Sequence, residues 1–409
     1  MQLLVFEDAG YVNLLPLVYS RATFNLRCGY DNLLAKIETA VGRTAESIMV
    51  RKALAPVMAE RQTRRVNQPA ITDDQLWING RLLLRQAIDL PPQSAAWRGD
   101  TLLAARVDRT TGAQLTLDVL MDAPKLRGVL TNYREMALPD DAALLVDYPW
   151  QLIQENGAEI VRQSHGRQFS VDGRIYDGAH LITEHPIHVG TGSKIKPGAV
   201  LDAETGPIWI GDNVTIHPGA VVSGPCFIGD GCIVRPGASI SSSSIGMVCK
   251  VGGEVEGTIF HGYTNKQHDG FLGHSYVGEW VNLGADTVGS DLKNTYGNVT
   301  VPLNGRNVDS GQMFVGAMIG DHTKTAIGTR LPTGCVIGYA CNVVCGGFAP
   351  KFVPSFSWVT EKGLETNNPQ KALAVARTVV ARRNRTYSKH EEALFMSIQA
   401  ASAGIEHQG

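Results

Sequence analysis

The chain has 409 residues, of which 44% are hydrophobic and 19% charged, and its formal net charge is -2. This length exceeds what one ordinary core needs, so we expect two or three domains. The near-neutral charge argues against nucleic acid or a membrane surface as the main partner, and no run approaches the ~18 apolar residues that cross a bilayer. The first residues are typical of a strand and not of a signal peptide, so we expect a cytoplasmic location.

Residues 1–150 alternate strand-like and helix-like segments, a pattern typical of an α/β layer domain. The predicted elements are strands at Leu3–Phe6, Ser47–Val50, Leu102–Val107 and Ala142–Val146 and a helix at Asp31–Val41. Tyr148-Pro149-Trp150 opens a short predicted helix, which starts a linker over 151–178.

The next region has a period of six, which neither a helix nor an ordinary strand produces. Aliphatic residues recur at Ile210, Ile216, Val222, Ile228, Val234 and Ile240, and small residues follow four positions later at Ala220, Cys226, Cys232 and Ala238. A triangular coil gives this period, because each six-residue side points one aliphatic residue inward. The sequence therefore predicts a left-handed parallel β-helix of hexapeptide repeats over 179–350.

The same phase returns further along the chain, at Val277, Leu283, Ile319, Leu331, Ile337 and Val343, with Thr325 in one apolar slot. Two stretches, about 253–275 and 293–312, break the register. Insertions in a solenoid usually emerge as loops on the binding side, so we expect loops there. Most of the seven cysteines fall in the small inward slots, which indicates packing residues and not redox or metal groups.

The tail over 351–409 is predicted to be helical. Asn368-Pro369 is a helix start with proline at its first position, and Ser388 to Glu391 is a capping box that opens a second helix. Between them lies a basic cluster of Arg377, Arg382, Arg383 and Arg385. Two interpretations stay open: a solvated helix face, or a site for the phosphates of a CoA or nucleotide.

The densest set of reactive groups is His261, Lys266, His268 and His274, in and beside the first out-of-register stretch. Amide formation from an amine and a thioester needs a base and donors for the developing oxyanion. An imidazole titrates near neutrality and suits the role of base. A histidine of this set is therefore a candidate for the catalytic base, and we expect Lys266 to contact the substrate.

The segment from His268 to Thr287 resembles, without a gap, the active-site stretch of a known family. This is the family of bifunctional N-acetylglucosamine-1-phosphate uridyltransferase/glucosamine-1-phosphate N-acetyltransferase. Val234-Arg235-Pro236-Gly237-Ala238 resembles its Arg-Pro-Gly-Ala segment, and Tyr148-Pro149-Trp150 carries part of the likeness in the N-terminal half. The whole chain looks like a divergent branch, in which a sugar-nucleotidyltransferase-like α/β domain is fused to a hexapeptide acyltransferase.

This resemblance implies roles for individual residues. His268 falls on the family's base, Phe271 on an aromatic that lines the sugar site, and Asn282 on a sugar-contacting asparagine. Arg235 falls on the arginine that binds the sugar phosphate. Ala285 falls near the acetyl-CoA thioester and Thr329 on a hydroxyl residue that contacts CoA, so these two are the expected cosubstrate-binding positions. Homotrimers are also implied, with the active-site groove between neighbouring subunits.

The departures from the family lie mainly in the N-terminal half. Glu7-Asp8-Ala9-Gly10 offers one glycine where the family has a glycine-rich phosphate loop, and Leu17 stands where it has a lysine after proline. Both features neutralise or cradle phosphates. Two alternatives therefore remain for residues 1–150: a nucleotidyltransferase that uses Mg²⁺ and a nucleoside triphosphate, or a structural or regulatory domain.

The predicted function is acetyl-CoA-dependent N-acetylation of an aminosugar phosphate similar to glucosamine-1-phosphate, in nucleotide-sugar synthesis. Two other classes stay open. One is a zinc solenoid similar to carbonic anhydrase, in which three histidines bridge adjacent subunits, with His261, His268 and His274 as the candidate ligands. The other is a non-catalytic solenoid that binds a sugar nucleotide or serves as an assembly platform.

Overall fold

The N-terminal part is an α/β domain built on a seven-stranded mixed sheet. The computed structural model describes residues 1–68 and 72–406. The strands of this domain are β1 (Gln2–Phe6), β2 (Arg27–Cys28), β3 (Asp31–Asn32), β4 (Ser47–Met49), β5 (Arg65–Val66), β6 (Gln75–Asn79), β7 (Leu82–Leu84), β8 (Ser94–Arg98), β9 (Thr101–Val107), β10 (Arg134–Met136) and β11 (Ala143–Leu145). The helices are α1 (Leu33–Val41), α2 (Ala55–Arg61), α3 (Arg109–Gln114), α4 (Leu117–Leu120), α5 (Ala123–Val129) and α6 (Pro149–Ser164). The sheet order is β10-β8-β9-β6-β1-β4-β5.

The rest of the chain is a solenoid followed by two helices. Its strands are β12 (Arg174–Ile175), β13 (His180–Ile182), β14 (Ile187–Val189), β15 (Lys194–Ile195), β16 (Val200–Asp202), β17 (Ile208–Ile210), β18 (Thr215–Ile216), β19 (Val221–Ser223), β20 (Cys226–Ile228), β21 (Ile233–Val234), β22 (Ser239–Ser241), β23 (Ser244–Ile245), β24 (Lys250–Val251), β25 (Glu254–Glu256), β26 (Ile259–Gly262), β27 (Asn265–Lys266), β28 (Phe271–Gly273), β29 (Tyr276–Glu279), β30 (Val288–Gly289), β31 (Thr300–Leu303), β32 (Arg306–Asp309), β33 (Met318–Ile319), β34 (Lys324–Thr325), β35 (Arg330–Leu331), β36 (Val336–Ile337), β37 (Asn342–Val343), β38 (Phe352–Val353), β39 (Ser357–Thr360) and β40 (Gly363–Thr366). The tail helices are α7 (Pro369–Ala381) and α8 (Lys389–Glu406).

Three parallel sheets form the sides of the coil, as the left-handed β-helix prediction requires. The first face is β12-β15-β18-β21-β24-β27, continued through a bridge at Asn282 to β34, β37 and β39. The second face is β13-β16-β19-β22-β25-β28, beyond which β30 pairs with β35. The third face is β14-β17-β20-β23-β26-β29-β33-β36-β38. We call the corner between the first and second faces the first edge.

The period of six predicts the interior correctly. The aliphatic residues from Ile210 to Ile240 that carry it are all buried, in one continuous core with Cys226, Cys232 and Cys341. Solenoid strands run from Arg174 to Thr360, beyond the predicted limits of 179 and 350 on both sides. The first half of the predicted linker belongs to helix α6, which packs against β20 and β29 of the third face.

Only one of the two expected insertions projects as a loop. Over 253–275 the strands β25 to β28 continue the three faces, so the prediction of a loop there was wrong: the corners are shorter and the pairing is kept. The second insertion is the hairpin of β31 and β32, and Asn304 at its tip donates to the Val12 carbonyl at 2.6 Å. The hairpin therefore contacts the α/β domain.

The α/β domain covers the third face. Outward side chains of that face, such as Ile259, Tyr276 and Met318, belong to the same apolar cluster as the N-terminal core. Arg21 is buried at this junction, with its guanidinium 2.7 Å from the Asp321 carboxylate. Burial of both apolar surface and an ion pair ties the two domains together.

The tail helices begin as predicted; α7 lies beside the first face, and α8 packs against α7 and against α2 of the α/β domain. The Asn368 side chain caps α7 by accepting from the Lys371 amide, and Ser388 and Glu391 form the reciprocal bonds of a capping box at the start of α8. Val379 near the end of α7 lines a cavity against the first face. Among residues 1–68 and 72–406, no helix is both long and apolar enough to cross a bilayer.

Candidate active site on the first edge

The first edge brings together two predicted site residues that are distant in sequence. Arg235 directly follows β21, and His268 comes two residues after β27. One strand, β24, lies between those two in the first face, so their backbones are about 10 Å apart at ~4.8 Å per strand. Gly252 occupies the coil between them, where a Cβ would lie 3.1 Å from that of Arg235 and 2.7 Å from the Gln267 carbonyl oxygen. The guanidinium of Arg235 and the imidazole of His268 can therefore contact the same small ligand.

His268 presents a free ring on this edge. Its side chain is exposed, and in the described part of the chain the imidazole has no hydrogen-bond partner. Its backbone is held, since the His268 carbonyl accepts from the Lys266 ammonium at 3.1 Å. The ring nitrogens are therefore free to accept a proton from a ligand that comes within hydrogen-bond distance.

Lys266 does not stand where the prediction of substrate contact needs it. Its side chain occupies the inward slot of β27, in register with Val251, and it is only 2% exposed. The ammonium donates to the Gly252 and His268 carbonyls at 3.0 and 3.1 Å. Burial lowers the pKa of Lys266 to about 8, although Asp269 and Asp286 act in the opposite direction. The correction is that Lys266 supports the His268 corner from inside the coil.

Asn282 lines a cavity of about 370 Å³ on the first face, next to the edge. The other lining residues are Lys250, Tyr263, Asn265, Gln267, Trp280, Val281, Lys324, Val379, Arg382 and Arg383. Arg383 donates to the Asn265 carboxamide oxygen at 3.0 Å, which ties the end of α7 to the face. Since Gln267 precedes His268, the cavity opens beside the predicted base.

The remaining predicted residues lie further along the same edge or beside it. Phe271 is half-buried on the outer side of β28, the second-face strand that follows His268. The Ala285 carbonyl accepts from the Gly328 amide, so the coils of Ala285 and Thr329 are adjacent. Thr329 itself is fully buried, and its hydroxyl donates to the Ala326 carbonyl at 2.9 Å. Direct contact of Thr329 with CoA is therefore contradicted by its position, and Ile327, 78% exposed, is the side chain presented there.

The three histidines of the zinc hypothesis lie on different parts of the coil. His261 is in β26 beneath the α/β domain, with its ring 3.0 Å from the Asn25 carbonyl oxygen. His274 follows β28, at the corner between the second and third faces, and is 2.8 Å from Asp291. Within 1–68 and 72–406, no group of three or more His, Cys, Asp or Glu side chains could hold a metal ion. One chain does not assemble the predicted zinc site.

In the α/β domain, the crevice where a nucleotide would bind is filled by an arginine. The sheet order reverses between β1 and β6, and open α/β sheets bind ligands outside the carboxyl ends of strands at such a point. Arg81 lies there, only 2% exposed, and pairs with Asp8 and Asp147 at 2.7 Å each. A Cβ on Gly10 would lie 2.3 Å from the Arg81 guanidinium carbon. The guanidinium therefore occupies the space beside the single glycine of this loop.

Sequence reasoning missed Lys250 and left the role of Arg382 and Arg383 open. No local motif marks them, because the cavity forms only where α7 ends against the first face. One signal was available: the outward positions of successive first-face strands fall at Lys250, Asn265 and Asn282, so their register places them in one row.

Comparisons with known proteins agree with the two-part architecture. Residues 3–168 match the model of the sugar nucleotidyl transferase family, and residues 207–242 match six repeats of the bacterial transferase hexapeptide model. Among solved structures, the UDP-N-acetylglucosamine acyltransferase of Arabidopsis overlaps 51% of this chain and 77% of its own, at 14% identity and a TM-score of 0.29. A score this low carries no argument about function.

Two curated relatives are bifunctional proteins. The bifunctional protein GlmU of Cyanothece sp. is 29% identical over 192 residues, which are 46% of this chain and 34% of the relative. A bifunctional sugar-1-phosphate nucleotidylyltransferase/acetyltransferase of Sulfurisphaera tokodaii is 33% identical over 79 residues, 19% of this chain and 20% of the relative. The matches thus span about a third or less of these relatives. The chain thus combines a region similar to the sugar nucleotidyl transferases with a hexapeptide solenoid, and part of it is similar to bifunctional GlmU proteins.

Proposed function

We propose that the chain is an acetyl-CoA-dependent N-acetyltransferase whose acceptor is an aminosugar phosphate. The observation that carries this proposal is the exposed, unpartnered imidazole of His268 on the first edge, two coils from Arg235 and beside the cavity that Asn282 lines. The bifunctional relatives support it, since one of them is named as an acetyltransferase.

The proposed reaction moves one proton and one acyl group. The His268 imidazole takes a proton from the acceptor amine as the amine nitrogen attacks the thioester carbonyl carbon. The C–N bond forms, the C–S bond breaks, and CoA leaves as a thiol once it gains a proton. A general base of this kind typically contributes 10²–10⁴-fold to the rate.

The other edge residues have positioning roles in this scheme. Arg235 binds the phosphate of the acceptor, with Phe271 and Asn282 beside the sugar. The thioester lies along the edge at Ala285, a small side chain that leaves room for the pantetheine arm. Lys266 acts indirectly, because its two bonds to carbonyls fix the corner that carries His268.

The test is thiol release from acetyl-CoA with glucosamine-1-phosphate as acceptor. His268→Ala should lower kcat by about 10²–10⁴-fold while leaving CoA binding nearly unchanged. His165→Ala removes another exposed histidine, at the end of α6, and should behave as wild type. Arg235→Ala should chiefly raise the KM for the acceptor. Wild-type turnover by the His268 variant would refute the base assignment.

For the α/β domain we propose a structural role. Mg²⁺ prefers carboxylate oxygens, but both crevice carboxylates, Asp8 and Asp147, are already paired with Arg81. Glu7 is likewise paired with Arg51. These residues do not fit a metal and a nucleoside triphosphate, so we derive no nucleotidyl transfer from this domain.

Association into homotrimers is part of the proposal. The α/β domain covers the third face and the tail lies against the first, which leaves the second face with exposed apolar side chains such as Val288 and the 66% exposed Phe348. Apolar patches of this kind are typical of interaction surfaces. A neighbouring subunit on the second face would turn the first edge from an open corner into a groove.

A further inference from the structure

The cavity beside His268 contains an uncompensated cluster of positive charge. Its lining includes Lys250, Lys324, Arg382 and Arg383, and no carboxylate is among the residues that line it. The side chains of Lys250 and Arg382 have no acceptor in the described part of the chain. Arg383 and Lys324 donate only to neutral oxygens, those of Asn265 and of the His322 carbonyl. Lys250, Arg382 and Arg383 therefore lie close to one another, and Lys324 adds a fourth cation to a lining without a counter-ion.

Electrostatics oppose this arrangement in the free protein. The pKa of Lys250 is lowered by its partial burial and then by the nearby charges of Arg383, Arg235 and Arg382. Burial also lowers the pKa of Lys324 to about 8. Like charges that are held together without a partner destabilise the protein, so such a cluster is typical of a site for an anion.

We propose that this cavity binds the diphosphate group of an organic ligand. An orthophosphate cannot match four cations that line a cavity of about 370 Å³, whereas two linked phosphates offer more charge and more acceptor oxygens. The amides of Asn265, Gln267 and Asn282 can accept or donate at the ester end of the ligand. Trp280, stacked on Tyr263 with ring centroids 4.4 Å apart, forms an aromatic wall.

The cavity also has room for the rest of such a ligand. A second cavity of about 290 Å³ continues along the first face, and Lys324 lines both. Volumes of roughly 300–1,000 Å³ are usual for small-molecule sites. The diphosphate belongs either to a nucleoside-diphosphate aminosugar, which would be the acceptor, or to the CoA donor. Binding of a diphosphate is inferred from the cavity alone. Only the role of the ligand, as acceptor or donor, rests on the proposed function.

The binding test uses the full-length chain and inorganic pyrophosphate in isothermal titration calorimetry. Wild-type protein should bind pyrophosphate at least tenfold more tightly than orthophosphate. The double variant Arg382→Gln/Arg383→Gln should lose at least tenfold in pyrophosphate affinity, and Lys250→Met, on the solenoid itself, should lose affinity too. Arg377→Gln is the matched control, because Arg377 lies in α7 shortly before these two residues but pairs with Glu392 and does not line the cavity.

Competition then identifies the source of the diphosphate. Displacement of pyrophosphate by a uridine-diphosphate aminosugar but not by CoA assigns the cavity to the acceptor, and the reverse assigns it to the donor. Displacement by neither would overturn the proposal, as would equal affinity for the two inorganic anions or wild-type binding by the double variant. His268→Ala should bind pyrophosphate as wild type does, so failure of the base assignment would be seen separately from failure of this site.

Discussion

Replacing Lys266 by methionine should change how the stability of the chain depends on pH. Lys266 fills an inward slot of the solenoid that is aliphatic in the neighbouring coil, where Val251 occupies it. Its ammonium is 2% exposed, and burial lowers its pKa from the ordinary 10.5 to about 8. Methionine is unbranched and adaptable enough to fill the same slot without a charge.

The magnitude follows from linkage between protonation and folding. Below pH 8, Lys266 is charged in both folded and unfolded states, and the folded state bears the full cost of the buried charge. Between pH 8 and 10.5 the unfolded state binds more protons, so the stability of the wild-type chain rises with pH in this window. At about 1.4 kcal/mol per pH unit, the gap between 10.5 and about 8 corresponds to ~3 kcal/mol.

The measurement is urea unfolding of wild type and Lys266→Met between pH 7 and 10.5. The free energy of unfolding of the methionine variant minus that of wild type should fall by about 3 kcal/mol across this range. Lys324 also titrates near pH 8, but it is present in both proteins and cancels in the difference. Lys362→Met, at an exposed position, controls for the loss of one charge. A difference that stays constant with pH would refute the account of a costly buried ammonium.

Two further substitutions test the architecture. Arg81→Met leaves the Asp8 and Asp147 carboxylates without their partner. Because Arg81 and Asp8 are buried, the substitution should destabilise the α/β domain by ~3–5 kcal/mol in urea unfolding. An unchanged unfolding midpoint would contradict the pairing. Ile228→Ala removes a fully buried side chain from the solenoid core and should cost about 2–5 kcal/mol, measured in the same way, whereas Val171→Ala, at a position that is 49% exposed, should cost far less.

Much of the solenoid could be predicted because its signal is local and repeats. Each inward aliphatic residue from Ile210 to Ile240 is specified by its own six-residue side, so no knowledge of distant contacts is needed. The stretch over 253–275 was misread because the coil tolerates shorter corners, and such corners begin directly after Ile240. Ile245, five residues on, is still paired with Ile228 in the third face. A shorter corner breaks the period of six in the sequence but leaves the strand pairing intact. Only the structure distinguishes such a corner from a true insertion.

The six-residue repeat also predicts which of the site residues point into the interior of the coil. Counting six back from the inward Leu272 gives Lys266, and four forward from the inward Thr325 gives Thr329, a small buried slot. Family resemblance assigned roles to positions without asking which way each side chain points. By contrast, the cavity depends on where α7 ends relative to the first face, a tertiary contact that no local pattern carries.

The packing of the α/β domain on the third face explains why this domain can be retained although Arg81 fills its nucleotide crevice. Outward residues of the third face, including Ile259, Tyr276 and Met318, are buried only because this domain packs on them. An isolated solenoid would expose that apolar surface together with the Asp321 carboxylate that now pairs with Arg21. The domain therefore stabilises the coil that carries His268 even when Arg81 fills the nucleotide crevice. Stabilisation of this kind needs a complementary surface and a folded core, and neither requires a phosphate loop.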